Sequence, residues 1–276
     1  MISIKTKEEI IVLREGGRRL AQILQKVVDA AKPGVSTFDL DGLAEGLIFE
    51  SGGTPAFKGY RLDGVKTPYP GSLCVSINDE VVHGIPRQDL ILKAGDIVGL
   101  DIGMAWPSSA KATEGKPSDQ LLNVKGQMSG LYTDMAVTIG IGKVSPEAER
   151  IIRATKEALE IGIQSVRPGA RVGDVSHAIQ KHLEKYRLGI IRDLAGHGVG
   201  YKLHEEPLIP NYGKKGIGPE LIEGMVLAIE PMATLGDWRI TLDEDGWTFR
   251  TQDSSLAAHF EHTVAVSNEG AEILTV

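Results

Sequence analysis

Four acidic residues lie inside or at the end of apolar runs that read as β-strands. Asp101 sits in Ile97–Gly103, Asp134 in Leu131–Ile141, Glu230 closes Met225–Glu230, and Glu261 sits in Ala257–Val266. A carboxylate in such a setting is expensive to bury unless it is paired or bound to a metal. The four also form two matched pairs. Gly95 and Asp101 align with Gly224 and Glu230 at an offset of 129, and Asp134 aligns with Glu261 at an offset of 127. Upstream, Lys32-Pro33-Gly34 with Asp39-Leu40 matches Arg167-Pro168-Gly169 with Asp174-Val175 at an offset of 135. A helical pattern follows each time. The expected fold is therefore α+β, one domain over 1–276. Two pseudo-symmetric halves, about 1–140 and 141–276, would pack around a central antiparallel sheet and bring the four acids to the middle.

The helices are read from periodicity and end signals. Apolar residues recur at helical spacing from Thr6 to Ala31, and Thr6 with Glu9 is a capping-box pattern. A second helix is expected over Thr37–Glu50, stopped by Ser51-Gly52-Gly53. Two more are expected from Ser145-Pro146-Glu147 and over Val172–Tyr186. Short strands are expected over Leu73–Ile77 and Leu188–Leu194, and turn-rich chain over Leu208–Glu220. Trp106–Ser129 breaks the pattern with prolines, glycines and small polar residues, and reads as an exposed, mobile excursion joining the Asp101 and Asp134 strands. The polar insertion as a whole is expected over about 104–130.

Three histidines stand in settings that suit chemistry. Gly196-His197-Gly198-Val199-Gly200 leaves room for backbone or ligand beside His197, and His204 follows seven positions later with Glu205-Glu206-Pro207. His83 lies in Val82-His83-Gly84-Ile85-Pro86, where a structural and a catalytic role are both open. Four carboxylates brought together without a cation would repel, and some would stay protonated. With one or two imidazoles they can instead hold two divalent cations that share a water and polarise a carbonyl, an arrangement suited to amide hydrolysis. The alternative is four separately paired strand acids.

Composition narrows the partners. A net charge of −7 argues against phosphate-backbone binding, so nucleic acid is not expected as the main partner. The chain has one cysteine, Cys74, which fits a reducing compartment. No apolar run approaches a membrane span and no signal core precedes the first helix, so a cytoplasmic location without membrane contact is expected.

Taken together, these motifs resemble the methionine aminopeptidases. The resemblance rests on Asn78 with Val82-His83-Gly84-Ile85-Pro86, Gly95-Asp96 with Leu100-Asp101, Tyr132-Thr133-Asp134, Gly196–Gly200, His204-Glu205-Glu206-Pro207, Ile229-Glu230-Pro231-Met232, Asp245-Gly246-Trp247-Thr248 and Phe260-Glu261-His262-Thr263. It spans nearly the whole chain. It implies the duplicated pita-bread fold, and the short spacing between His204 and Glu230 points to the compact bacterial type. It also implies that Asp101 binds one metal ion, His197 and Glu230 the other, and that Asp134 and Glu261 bridge both. The metals would be Co, Mn, Fe or Zn. Glu230 would also accept the proton of the attacking water. His204 would donate to the scissile carbonyl, and His83 would contact the scissile nitrogen. Tyr60, Tyr69, Cys74 and Trp247 would wall the pocket for an unbranched apolar side chain. The implied substrates are nascent polypeptide N-termini, near the ribosome, and the implied working form is a monomer.

Several positions depart from the family pattern. The connection between the Asp101 and Asp134 strands is long, and Arg61–Pro68 is a further insertion between two pocket tyrosines. Leu203 stands where an aromatic is common and His259 where Gln is common. His259 lies two positions before Glu261 on the same strand face, so it could approach the metals. Two other readings compete: a prolidase-like or Xaa-Pro aminopeptidase on the same fold, and a non-catalytic binding module.

Overall fold

The computed structural model describes residues 2–62, 64–107 and 130–276. The first half runs α1 (Lys7–Ala30), α2 (Thr37–Ser51), β1 (Thr54–Pro55), β2 (Leu73–Ile77), β3 (Glu80–Val82), β4 (Ile97–Pro107) and β5 (Gly130–Gly140). The second opens with α3 (Pro146–Gln164) and α4 (Val172–Lys185), then β6 (Gly189–Ile190), β7 (Ala195–Gly198), β8 (Glu205–Pro210), β9 (Val226–Ile229) and β10 (Met232–Thr234). It closes with β11 (Ile240–Leu242), β12 (Phe249–Thr251), β13 (Ala257–His259), β14 (Glu261–Ser267) and β15 (Gly270–Ile273).

The helices start where side chains satisfy their free N–H groups. The Glu9 N–H donates to Thr6 Oγ1 and the Thr6 N–H to Glu9, closing the capping box. Ser36 caps α2, and Ser145 caps α3 with Pro146 behind it. The apolar faces of α1 and α2 pack on Leu73, Val75, Val98, Leu100 and Ile102. Those of α3 and α4 pack on Leu227, Ile229, Val264 and Val266. Each helix pair thus covers one half of the same sheet. On β4 the helix-facing residues are Val98, Leu100 and Ile102, which leaves Asp101 on the opposite side.

Among the described residues the main sheet runs β1-β4-β5-β14-β9-β7-β8, and every pairing along it is antiparallel. Asp101 lies opposite Ala136, and Gly103 opposite Asp134, so the two acids are diagonal neighbours on one face. Glu261 also lies opposite Ala136, from the other side. His262 pairs with Ile229, which sets Glu230 beside Glu261 where β9 ends. His197 pairs with Ala228.

Four expectations need correction. The insertion does not begin at residue 104: β4 continues to Pro107, Met104 and Trp106 are buried against α1 and α2, and Ala105 is buried on the opposite face. Residues 108–129 lie outside the described residues. The run Ala257–Val266 is two strands, broken at Phe260, because β13 pairs with β10 while β14 pairs with β5 and β9. Leu188–Leu194 contributes only Gly189–Ile190 as strand, paired with β10, and Ile191 adds one further backbone bond to Met232. The stretch from Leu208 begins inside a strand: β8 pairs along β7. No helix among the described residues is long and apolar enough to cross a membrane.

Candidate metal centre

Five adjacent strands each supply one side chain to the same place. Asp101 comes from β4, Asp134 from β5, Glu261 from β14, Glu230 from the end of β9 and His197 from β7, in the order of the sheet. One donor atom each from Asp134, His197 and Glu261 lie within 4.8 Å of one another. Glu230 Oε1 is 3.5 Å from His197 Nε2. Asp101 lies beside Asp134, diagonally across the β4–β5 pair. All five side chains line one cleft of ≈ 680 Å³, and so do His83, His204, Tyr60, Tyr69, Cys74 and Trp247. The sequence-selected residues therefore meet in a single cavity.

Local geometry explains how each is held. Thr263 Oγ1 accepts from the Asp134 N–H at 2.8 Å and donates to the Asp134 carbonyl at 2.7 Å, fixing that residue to β14. Gly196 and Gly198 flank His197 because neighbouring strands come close. A Cβ on Gly196 would meet the Ala228 carbonyl oxygen at 2.4 Å, and one on Gly198 the Glu206 carbonyl oxygen at 2.3 Å. The room expected beside His197 is thus filled by backbone. His197 Nδ1 lies 3.0 Å from the Gly198 carbonyl oxygen, which can only accept. The ring proton is therefore on Nδ1, and the Nε2 lone pair faces the carboxylates.

The electrostatics fit a cation. Burial, and then the proximity of the other acids, pushes Asp134, Glu230 and Glu261 well above the usual carboxylate range. Burial lifts Asp101 to about 7. Burial holds the His197 imidazole neutral, down to about 3. Asp101 Oδ1, Asp134 Oδ1 and Glu261 Oε1 are buried without a hydrogen-bond partner. Unpartnered carboxylate oxygens around a bare imidazole nitrogen are a donor set for a divalent first-row metal. A cation would supply the missing partners and stabilise the ionised carboxylates together.

The substrate side of the cleft is apolar. Ala56, Phe57, Tyr69, Cys74, Leu203 and Trp247 form a buried cluster, with Tyr60 packed against it. Phe57 was not singled out by sequence, since a lone aromatic in a loop carries no periodic signal; its ring lies 6.4 Å from that of Tyr69, edge to face. Leu203 takes a wall position at 4% exposure. The insertion springs from between the two pocket tyrosines. The Tyr69 N–H donates to the Tyr60 carbonyl, and the Gly59 N–H to the Tyr69 carbonyl, both at 2.8 Å, so the segment between the two tyrosines has a closed base, and Leu62 and Val65 from it pack on the cleft side. Trp247 Nε1 donates to the Thr67 carbonyl.

At the mouth, His204 keeps an exposed edge. Its ring centroid is 4.4 Å from that of His197, and its Nδ1 is 2.7 Å from the Tyr60 hydroxyl. Burial of the rest of the ring lowers its pKa to about 4. His83 lies deeper, with its Nδ1 buried and unpartnered, and burial lowers it to about 4. Glu205, one of the two acids beside His204, is not part of the acidic cluster: it is paired to the buried Lys5 at 2.7 Å and also contacts Ser3. That use of the N-terminal arm left no signal in the sequence.

A sheet that gathers acids and an imidazole from five strands under an apolar cleft defines a metallopeptidase. The sequence profile of metallopeptidase family M24 matches residues 12–113 and 106–268, and the chain belongs to that family. Within it the chain stands with the methionine aminopeptidases. It is 42% identical to the "Methionine aminopeptidase" of Clostridium acetobutylicum over 276 residues, covering 100% of this chain and 99% of the relative. It superposes on the crystal structure of methionine aminopeptidase from Thermotoga maritima with a TM-score of 0.88 at 42% identity, covering 100% of this chain and 99% of that one. The prolidase from Pyrococcus furiosus matches with a TM-score of 0.70 at 20% identity, over 99% of this chain and 65% of that one. That likeness shows the shared pita-bread fold.

Proposed function

We propose that this chain removes the N-terminal methionine from polypeptides by metal-assisted hydrolysis of the first peptide bond. The observation that carries the reading is the position of the acid cluster and His197 on the floor of a cleft whose adjoining walls are apolar and aromatic. An unbranched apolar side chain fits between Tyr69, Cys74, Leu203 and Trp247 while the bond that follows lies over the carboxylates. Asp101, Asp134, His197, Glu230 and Glu261 would hold two divalent ions, with Mn, Fe, Co and Zn all compatible with oxygen and nitrogen donors. When bound, such ions polarise the scissile carbonyl and lower the pKa of a shared water.

The residues then divide the work. Glu230, whose proton affinity is raised by burial and by Asp101, accepts the proton from the attacking water. His204 donates to the carbonyl oxygen as negative charge develops there. For this its proton must sit on Nε2, which the Tyr60 hydroxyl favours by donating to Nδ1. His83 is neutral and enclosed, and its unpartnered Nδ1 would meet the scissile nitrogen. Tyr60, Tyr69, Cys74 and Trp247 bind and orient the methionine side chain.

The natural substrates on this reading are the N-termini of nascent chains, near the ribosome and in the cytoplasm, and the working form is a monomeric single domain of two related halves. Support comes from the family resemblance and from the sheet that runs through both halves. The decisive experiment is to strip the protein with chelator, restore Mn²⁺ or Co²⁺, and compare a Met-Ala peptide with an Ala-Pro peptide. Methionine release that depends on metal is expected. Cleavage of Ala-Pro alone would favour a prolidase-like activity, and metal binding without any cleavage a non-catalytic role.

A further inference from the structure

We propose that His259 is a positioning residue for Glu230: its Nε2–H donates to Glu230 Oε2, which leaves Oε1 as the oxygen that ligates metal beside His197. The inference rests on the reading of Glu230 and His197 as ligands.

His259 is 3% exposed, and its Nε2 has no hydrogen-bond partner. An enclosed imidazole nitrogen facing nothing is costly, so its surroundings should contain the partner it is built for. The facing group is Glu230, whose Oε2 is 3.6 Å away. A shift of about half an ångström makes that contact an N–H···O⁻ bond. The other oxygen of the same carboxylate, Oε1, faces His197 Nε2 at 3.5 Å. The Glu230 carboxylate thus sits between two imidazoles, one on each oxygen.

The two imidazoles are not equivalent. His197 gives its proton to the Gly198 carbonyl, so its Nε2 is bare and cannot donate to Oε1. A bare nitrogen and a carboxylate oxygen facing each other call for a cation between them. Among the described residues no carbonyl accepts from the His259 ring, so its proton is free to lie on Nε2 and serve Oε2. The ring is also held in place through its backbone. The His259 N–H donates to Thr138 Oγ1 at 2.9 Å, and the same hydroxyl donates to the His259 carbonyl at 2.7 Å. A carboxylate held by one oxygen cannot rotate to chelate through both. His259 would therefore fix Glu230 as a one-oxygen ligand and raise the affinity of the ion that it shares with His197.

The test is Mn²⁺ titration by calorimetry on wild type, His259→Leu and His259→Gln, with the visible absorption of the Co²⁺ form as a second readout. The leucine variant should bind the tighter Mn²⁺ about 10–100-fold more weakly. The glutamine variant, whose amide N–H reaches a similar point, should return to within about threefold of wild type with an unchanged Co²⁺ spectrum. Wild-type affinity in His259→Leu would overturn the proposal. So would a weakened His259→Gln with an altered Co²⁺ spectrum, since that marks His259 as a direct ligand. If the leucine variant fails to fold, His259→Asn replaces it: its amide is too short to reach Glu230 and should bind as weakly as expected for leucine, and wild-type affinity there would overturn the proposal. A wild-type protein that binds no Mn²⁺ would instead sink the metal reading itself.

Discussion

Thr263 holds Asp134 by both of its backbone groups, accepting from the N–H at 2.8 Å and donating to the carbonyl at 2.7 Å. Both residues are buried. Thr263→Val keeps the shape and removes both bonds, leaving the Asp134 amide and carbonyl without these partners. Chemical denaturation should show a loss of about 1–3 kcal/mol. Mn²⁺ affinity should fall with it, because Asp134 is then free to shift. Unchanged affinity in a destabilised variant would separate the stitch from the metal centre.

Tyr60 and His204 are linked at 2.7 Å, hydroxyl to Nδ1. If that bond sets the tautomer, Tyr60→Phe should redistribute the His204 proton between its two nitrogens, which ¹⁵N chemical shifts report directly. Turnover of a Met-peptide should fall about tenfold. His204→Ala removes the donor altogether and should cost about 10²–10³ in kcat. A Tyr60→Phe variant with native shifts and native kcat would leave Tyr60 as a wall residue only.

Asp101 gives the metal-free protein a specific pH dependence. Burial raises its pKa from an ordinary 3.8 to about 7. Below about pH 4 folded and unfolded chains both carry the proton, so the group costs no stability. As the pH rises from there the unfolded chain ionises first, and stability falls until the folded group ionises near 7. In chelator, Asp101→Asn should therefore match the wild-type unfolding free energy near pH 4 and exceed it at pH 8, by on the order of a few kcal/mol. Adding Mn²⁺ at pH 8 should raise the wild-type Tm more than that of the variant. A variant advantage that is the same at both pH values would contradict the burial argument.

Trp247 closes the apolar pocket, edge-on to Tyr69 with ring centroids 5.3 Å apart, and ties down the 61–68 loop through Thr67. Trp247→Ala should lower kcat/KM for Met-peptides about tenfold or more, chiefly through KM, because it removes side-chain binding and leaves the carboxylates in place. Metal stoichiometry should not change. An equal fall in kcat with KM unchanged would instead assign Trp247 to the transition state.

The acid-bearing strands are legible in the sequence because a carboxylate inside an apolar run has few structural roles. The duplication then says which acids must face each other. Asp101, Asp134, Glu230 and Glu261 come out this way without any knowledge of pairing. The break at Phe260 does not. Alternation is continuous from Ala257 to Val266, and only the exchange of partners, from β10 to β5 and β9, divides it. β8 is hidden for a similar reason: the Pro at each of positions 207 and 210 signals loop, yet an edge position tolerates proline. Met104–Trp106 reads as loop because Pro107 and the polar residues beyond it dominate the local pattern. What buries Met104 and Trp106 is α1 and α2, far away in sequence. The Lys5–Glu205 pair is illegible for the same reason, since 200 positions separate its members.

The two backbone hydrogen bonds that tie Tyr69 to Gly59 and Tyr60 turn 61–68 into an appendage with a fixed root. For a flexible loop anchored in this way, doubling its length costs only about 0.6 kcal/mol. A lineage could therefore lengthen, trim or recolour this fringe without touching the five-strand floor, while Thr67, bonded to Trp247, couples any such change to the aromatic wall. Selection would then have a site at which to change how bulky a second residue the enzyme admits while the hydrolytic apparatus stays as it is.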